Sequence, residues 1–592
     1  MTVYRAPTAD MTFLLNHVLA MDEIAKLPGF EDATPDMVDA ILTEAARFFG
    51  EVVAPTNQPA DAQGTRLDGT TVLTAPVLDG IYQQMLAAGW MGLAADVDFG
   101  GQGMPGVLSI AVDEMSQSAN MAFGLCPMLT KGVVTALSIY GSDEQKAFYL
   151  PRLISGEWSG TMNLTESQAG SDLAAVRTKA TPTGDHYLLS GQKIFITWGD
   201  HEYTDNIIHL VLARTPDAPA GVKGISLFLV PKYQFKDDGT RGERNDVYCV
   251  GLEHKMGIHA SPTCTLAFGD NGGAVGYLIG EENQGLVYMF AMMNEARLAV
   301  GLQGVAVSER AYQQAVAFAK ERVQGAIPGK NGVAIIHHPD VRRMLMQMRA
   351  LTEGGRAMAY SALAHEDRAH KLGDLEQSRY HQRRVDLLTP LVKGWCTEMS
   401  LEVASLGIQV HGGMGYVEET GAAQHLRDAR ILPIYEGTNG IQAMDLVGRK
   451  TARDQGLGAM ELIKDLHPVL REAGDAGLPV IAESLSASLA DLKEAVEVLL
   501  AGATDENWAT PGAVAHNLLM LMGTCVAGAM LAKSAVAASK LQKVDSGNPL
   551  FNSSKLTTAN FFAEHVLPRT ASYLAAVKAG SDSVMALDID AF

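Results

Sequence analysis

One carboxylate in this chain stands where a general base could work. Glu436 lies within Arg430-Ile-Leu-Pro-Ile-Tyr-Glu-Gly-Thr-Asn-Gly-Ile-Gln442, between an aromatic ring and a glycine. Taken alone, the stretch is weak evidence and reads first as an ordinary loop entering a helix near Ile441. Two other segments carry residue types suited to chemistry: Met162-Asn-Leu-Thr-Glu-Ser-Gln-Ala-Gly-Ser-Asp172, followed by Gly191-Gln-Lys-Ile-Phe-Ile-Thr-Trp198, and Gly407-Ile-Gln-Val-His-Gly-Gly-Met-Gly-Tyr416. Phe99-Gly-Gly-Gln-Gly103 has the glycine density of a phosphate cradle, but no strand precedes it and no acid follows at the dinucleotide spacing. His254, His259, His337 and His338 lie in loop contexts without an acid or cysteine at ligand spacing, which argues against a metal site.

These segments need a frame. From about Thr34 to Leu153 apolar residues recur at three- and four-residue intervals, with Thr34-Pro35 placed to start a helix. The period then shortens: 187–197, 206–214, 224–231 and 263–268 are short apolar or alternating runs bounded by Gly, Pro and Asp, the pattern of a small β-domain. Helical spacing returns at Leu286 and predicts helices over Tyr288–Arg322, 339–371, 375–410 and 440–453, long enough for a bundle. Beyond Gly456 the chain is again helical, including 485–500 and 513–541.

The three motif segments, in this order and at these separations, closely resemble the acyl-CoA dehydrogenase family of flavoproteins from about Pro35 to Lys450. The resemblance implies a mainly α fold with a β-domain: an N-terminal extension (1–33), a helical domain (34–155), a central β-barrel-like domain (156–285), a four-helix bundle bearing the base (286–455) and an extra C-terminal helical domain (456–592). It implies bound FAD, because protein side chains cannot accept the hydride that leaves the β-carbon. It makes Glu436 the base for the α-proton, with burial against Tyr435 and the flavin lifting its pKa. The backbone N–H of Glu436 and a flavin ribityl hydroxyl would polarise the thioester oxygen.

Position by position, the resemblance places Met162, Leu164 and Thr165 along the isoalloxazine, with Ile196 and Thr197 approaching its other side near N5. Phe195 stands where family members often carry tryptophan, and its ring would cover the flavin; the alternative for Phe195 and Ile196 is plain strand core. Arg322 and Gln324 match the pyrophosphate segment, and Gln409, Gly412 and Gly413 match residues that reach the adenine half from a neighbouring chain. Guanidinium pairs with phosphate in a bidentate manner and glycine permits close backbone approach. Gly325 departs from the family's phenylalanine, which puts the geometry at Gln324 in question. Thr438 matches a flavin-binding threonine, and Gly440 replaces a glutamine or glutamate. For acyl-CoA, Ser171, Glu295, Arg297, Tyr435 and Gly437 match substrate positions, Ser171 being counted among the FAD contacts as well; Arg297 reads alternatively as a helix-surface ion pair.

The opening Val3-Tyr-Arg-Ala-Pro-Thr-Ala-Asp-Met-Thr-Phe13, the run Ile194–Glu202 and the C-terminal extension are similar to the large bacterial subgroup acting on 3-(methylthio)propanoyl-CoA in dimethylsulfoniopropionate breakdown. That implies 3-(methylthio)propanoyl-CoA as substrate, with straight-chain fatty acyl-CoA as the alternative. The resemblance further implies an electron-transfer flavoprotein as acceptor and a homodimer or dimer of dimers. An acyl-CoA oxidase would share base and flavin, and a non-catalytic protein keeping FAD would share the fold. A DNA-associated flavoprotein of the same fold would need a basic tail, whereas Gln455–Phe592 holds nine Lys and Arg against fifteen Asp and Glu.

Composition agrees with these limits. The chain has 592 residues, 47% of them hydrophobic and 19% charged, enough for several cores. A net charge of -21 argues against nucleic acid or an anionic membrane as partner. No run of about 18 consecutive apolar residues appears, and the N-terminus lacks a signal core, so the expectation is a cytoplasmic protein without a membrane span. Five scattered cysteines read as reduced, buried small residues.

Overall fold

The computed structural model describes residues 4–236, 239–503 and 507–592. The chain divides into two compact units: Met1–Ala46, Pro105–Ser118 and Arg297–Phe592 form the first, Arg47–Met104 and Ala119–Ala296 the second.

The second unit is built around an eight-stranded, mostly antiparallel sheet. Its spatial order is Val247–Leu252, Thr263–Phe268, His186–Thr197, Ala274–Leu278, Ser226–Pro231, Asn206–Ala213 and Trp158–Asn163, with Lys179–Thr183 pairing to His186–Thr197 off this path. The four runs with the clearest period are strands, as expected. Trp158–Asn163 joins Asn206–Ala213 in parallel register, Trp158 facing Asn206 and Asn163 facing Val211. One face packs Ile208, Leu210, Leu227 and Leu229 of the sheet against Val133, Leu137, Leu150 and Leu153 of the helices Met121–Tyr140 and Asp143–Ser155. The opposite face carries Leu189, Ile196, Val211, Phe228 and Cys264. The Gly100–Gly103 loop has a packing cause: a Cβ on Gly101 would stand 2.1 Å from the Ala95 carbonyl oxygen.

The first unit holds the long helices. Pro339–Lys371 and Leu375–His411 match the predicted spans closely, the first opened by proline and the second by Asp374, which accepts from the Gln377 N–H at 2.8 Å. Gly285–Glu321 is the helix expected from Leu286 onward, and the unit boundary falls within it. The C-terminal extension adds Leu457–Asp475, Pro479–Gly502, Thr510–Lys543, Pro549–His565 and Arg569–Ala579. Gly394 and Gly523 permit close approach here: a Cβ on Gly523 would meet the Trp395 ring at 2.6 Å, and the Trp395 indole donates to Thr524 Oγ1 at 3.1 Å.

A buried ionic cluster ties segments from far apart in the sequence into this unit. Arg356 contacts Asp10 at 2.8 Å, Glu114 at 2.7 Å and Glu309 at 2.6 Å, while Lys555 contacts Asp10 at 2.5 Å and Glu353 at 2.6 Å. Met121–Tyr140 and Thr510–Lys543 are long and apolar enough to cross a membrane, yet 67% and 89% of those stretches are buried within protein, as core helices are. All five cysteines are free and buried.

Candidate active site

Glu436 sits on a loop whose backbone is fixed by the residues around it. The Tyr435 N–H donates to Ile431 O at 3.1 Å and the Asn439 N–H to Pro433 O at 2.9 Å. Between them Glu436 has φ +55° and Gly437 φ +83°, two successive residues in the left-handed region. For glutamate this conformation is uncommon and costs about 1 kcal/mol or more, held by the surrounding structure. A Cβ on Gly437 would lie 2.7 Å from Gln442 Nε2 and 3.8 Å from the Arg297 guanidinium, so no other residue fits there without strain. Thr438 then caps the helix Asn439–Val447, its Oγ1 accepting from the Ile441 N–H at 3.2 Å.

Burial pushes the Glu436 carboxyl up to about 7, against the opposing fields of Lys393 and Arg297. A carboxyl that titrates there is a carboxylate at mildly alkaline pH and a better proton acceptor than an ordinary one. Among the described residues the Glu436 N–H donates to no acceptor, which leaves it available to an incoming oxygen. The Tyr435 hydroxyl donates to Gln303 Oε1, and Gln303 Nε2 donates to Gln117 Oε1 at 3.0 Å. Arg297, read alternatively as a helix-surface ion-pairing residue, is 4% exposed and faces the loop, so it does not lie at the helix surface.

In the second unit Met162 is the next-to-last residue of the strand Trp158–Asn163, Leu164 and Thr165 follow its end, and all three are half-buried. Leu164 and Thr165 are bound to the strand His186–Thr197 by Lys193 Nζ donating to Leu164 O at 3.0 Å and the Ile194 N–H donating to Thr165 O at 2.9 Å. Lys193 also pairs with Glu166 at 2.8 Å; burial opposes ionisation of Glu166, yet Lys193 and Thr178 hold its carboxyl down to about 2. Pairing with Thr263–Phe268 changes register between Cys264↔Ile196 and Leu266↔Lys193, so the inner strand carries an extra residue. Phe195 falls in this bulge with φ +61° and is 57% exposed, whereas Ile196 is buried in the sheet core. Strand core is therefore the wrong reading for the Phe195 side chain and the right one for that of Ile196. Thr197 is half-buried, Ser171 exposed on the loop beyond Thr165, and Glu295 half-buried on its helix.

Arg322, Gln324, Gln409, Gly412 and Gly413 are exposed and belong to the same unit as Glu436. Gly412 has φ +61°, and a Cβ on either Gly412 or Gly413 would meet nothing within 4 Å. The departure at Gly325 has a local cause: φ is +75°, and a Cβ would stand 3.2 Å from the His338 ring, whose Nε2 is 2.8 Å from Gln324 O. Gln324 is thus fixed at the base of the hairpin formed by Ala326–Ile327 and Lys330–Asn331, its N–H donating to Val333 O at 3.0 Å. A guanidinium, two amides and open glycine backbone are a donor set suited to an anionic pyrophosphate, and an exposed phenyl ring beside Thr165 and Thr197 is suited to a planar heterocycle. The residues present fit FAD.

Sequence reasoning passes over Lys393, Asn439 and Gln303. A lysine in the apolar run Leu387–Met399 is the available signal for the first.

The fold and this carboxylate loop together define a flavin-dependent thioester dehydrogenase. Family models for the N-terminal, middle and C-terminal domains of acyl-CoA dehydrogenase match residues 36–157, 161–271 and 283–450, and one described as acetyl-CoA dehydrogenase C-terminal like matches 460–588. The chain belongs to the acyl-CoA dehydrogenase family and is an FAD-dependent oxidoreductase. It is 48% identical to a 3-methylmercaptopropionyl-CoA dehydrogenase of Ruegeria pomeroyi, over 98% of this chain and 99% of that one. It is 34% identical to FadE5 of Mycobacterium tuberculosis, a broad-specificity linear acyl-CoA dehydrogenase, over the full length of both. An acyl-CoA dehydrogenase of Bacillus anthracis complexed with FAD has the same fold, with a TM-score of 0.74 at 22% identity, covering 96% of this chain and 91% of that one.

Proposed function

We propose that this enzyme oxidises 3-(methylthio)propanoyl-CoA to the 2-enoyl thioester, with Glu436 as the base. The observation that carries the mechanism is a half-buried carboxyl tuned to about 7 on a loop whose adjacent N–H is uncommitted. The thioester oxygen accepts from the Glu436 N–H, which stabilises the negative charge that develops as the α-proton leaves for the Glu436 carboxylate. FAD, when bound, supplies the acceptor for the hydride departing from the β-carbon, so that the α,β double bond forms without net charge on the product. Met162, Leu164, Thr165, Phe195, Thr197 and Thr438 are the residues we assign to the flavin ring side, and Arg322, Gln324, Gln409, Gly412 and Gly413 to its phosphates and adenine half. Ile196 contributes through its backbone, since its side chain lies in the core. Ser171, Glu295, Arg297, Tyr435 and Gly437 are assigned to acyl-CoA.

Full-length identity to the Ruegeria pomeroyi enzyme supports the sulfur-containing substrate, and the FadE5 likeness supports straight-chain acyl-CoA as the second reading. The exposed, uncovered Gly412-Gly413 segment supports an assembly of at least two copies. Five unpaired cysteines support a reducing compartment such as the cytoplasm. An electron-transfer flavoprotein completes the proposal as acceptor.

Anaerobic bleaching of the flavin by 3-(methylthio)propanoyl-, butanoyl-, octanoyl- and palmitoyl-CoA tests this in wild type and Glu436→Gln. Fastest bleaching by the sulfur substrate, lost in the variant, is expected. Preference for a straight chain would replace the substrate assignment, and bleaching retained in the variant would overturn the base.

A further inference from the structure

Among the described residues four lysines are almost completely buried: Lys193, Lys232, Lys393 and Lys555. Three are neutralised directly, Lys193 by Glu166 at 2.8 Å, Lys232 by Asp200 at 2.6 Å and Lys555 by Asp10 at 2.5 Å. Lys393 differs. Among the described residues no carboxylate lies within ion-pair distance of it, and its ammonium makes one hydrogen bond, to Asn439 Oδ1 at 2.9 Å. An ammonium carries three donors, and burying one with a single neutral partner costs stability. A role in stability does not account for a lysine at this position.

Its partner accounts for it better. Asn439 is the third residue after Glu436, is 6% exposed, and binds the helix Leu375–His411 through both ends of its amide. Its Nδ2 donates to Thr397 Oγ1 at 2.9 Å and to Glu398 Oε1 at 2.8 Å, while its Oδ1 accepts from Lys393. Its backbone N–H closes the loop on Pro433 O. The strained pair Glu436-Gly437 is therefore spanned by a hydrogen-bonded turn whose far end is anchored to one helix. The charged groups acting on Lys393 are Glu436 in the loop, Glu398 on its own helix and Arg297 on Gly285–Glu321; Asp445, Arg449 and Lys450 of the neighbouring segment act on Arg297. The first of these is the base itself.

We propose that Lys393 is a positioning residue for the dehydrogenation: it holds the Glu436 loop in its reactive conformation through Asn439, and its positive charge sets the pH above which Glu436 works. The inference rests on Glu436 being the base. The shifts agree in direction, burial drawing the Lys393 ammonium down to about 7 while Glu436 opposes that fall.

The test is the pH profile of kcat/KM for holoenzyme with saturating FAD, in wild type, Lys393→Met and Lys393→Arg, with melting temperatures and flavin content measured alongside. Wild type is expected to show an acid limb near pH 7. Lys393→Met should move that limb upward by about one pH unit, as loss of a nearby opposite charge does. It should also lower kcat at least tenfold with KM changed less than threefold. Lys393→Arg, which keeps the charge, should leave the limb within about 0.3 of its wild-type position. A folded, flavin-loaded Lys393→Met with an unmoved limb and unchanged kcat overturns the proposal while leaving Glu436 as base. No limb in wild type, or activity retained in Glu436→Gln, overturns the base assignment instead. If Lys393→Met does not fold, Lys393→Gln, which keeps a donor for Asn439 without the charge, must show the same displaced limb or the proposal fails.

Discussion

Replacing Glu436 by glutamine should make this protein more stable, and only at neutral to alkaline pH. In the fold the carboxyl titrates near 7 because of burial, which the fields of Lys393 and Arg297 oppose, whereas the unperturbed value is 4.5. The folded state thus binds this proton more tightly than the unfolded state, so stability falls as pH rises from about 4.5 through 7. At about 1.4 kcal/mol for each pH unit between the two midpoints, complete ionisation costs about 3 kcal/mol. Glutamine carries no such cost. For a cooperative unit of several hundred residues, 3 kcal/mol corresponds to about 2–4 °C in melting temperature. Scanning calorimetry of both flavin-loaded proteins at pH 8.5 and pH 5 should therefore show the variant about 2–4 °C higher at the first and within about 1 °C at the second. Comparing the two proteins at each pH cancels the titration of every group on which Glu436 does not act, Lys393, Arg297 and Tyr435 being the exceptions. A stability gap that does not change with pH would refute the reasoning, as would a kcat/KM in wild type that stays flat between pH 5.5 and 8.

Three other outcomes follow from particular contacts. Lys555→Met leaves Asp10 and Glu353 buried with one cation fewer, and urea denaturation should show a loss of about 3 kcal/mol; a loss below about 0.5 kcal/mol would mean the cluster relaxes freely. Burial holds His201 and His209 down to about 3, so their contribution to stability is complete above 6.5 and is lost as pH falls, at about 1.4 kcal/mol per pH unit for each. The second unit should accordingly become protease-sensitive between pH 6 and 4, and His209→Gln should lessen that sensitivity. Gly437→Ala forces a side chain into φ +83° and should cost about 1–2 kcal/mol in loop strain. Read in stopped-flow, its reductive half-reaction should slow at least tenfold.

What is legible in the sequence divides along physical lines. Pro339–Lys371 and Leu375–His411 are readable because apolar periodicity, an initial proline and a capping aspartate all act locally. Glu436 is readable because its neighbours form a compact motif. Trp158–Asn163 is not legible as a strand, since Ser159, Thr161 and Asn163 look like surface residues. They are buried because Ser159 meets His201 at 3.0 Å and Thr161 meets His209 at 2.7 Å, partners more than forty positions away. Phe195 escapes for the same kind of reason: an alternating apolar run gives no sign of a bulge set by the register of another strand. Lys393 looks like one more lysine on a helix, and its significance depends on Asn439, 46 residues later.

The buried cluster at Arg356 has a consequence for how the chain must be made. Asp10 is bonded to Lys555 across 545 positions and to Arg356 across 346. During synthesis the first helix, Thr8–Phe13, emerges long before either cation exists, and its aspartate cannot be buried until both have left the ribosome. The opening segment therefore waits, exposed, while every residue up to Lys555 is added, and its docking closes one of the longest loops this chain can form. Completion of the first unit in this way reports that translation has passed Lys555: a chain truncated before it leaves Asp10 half-paired and the unit open to proteases.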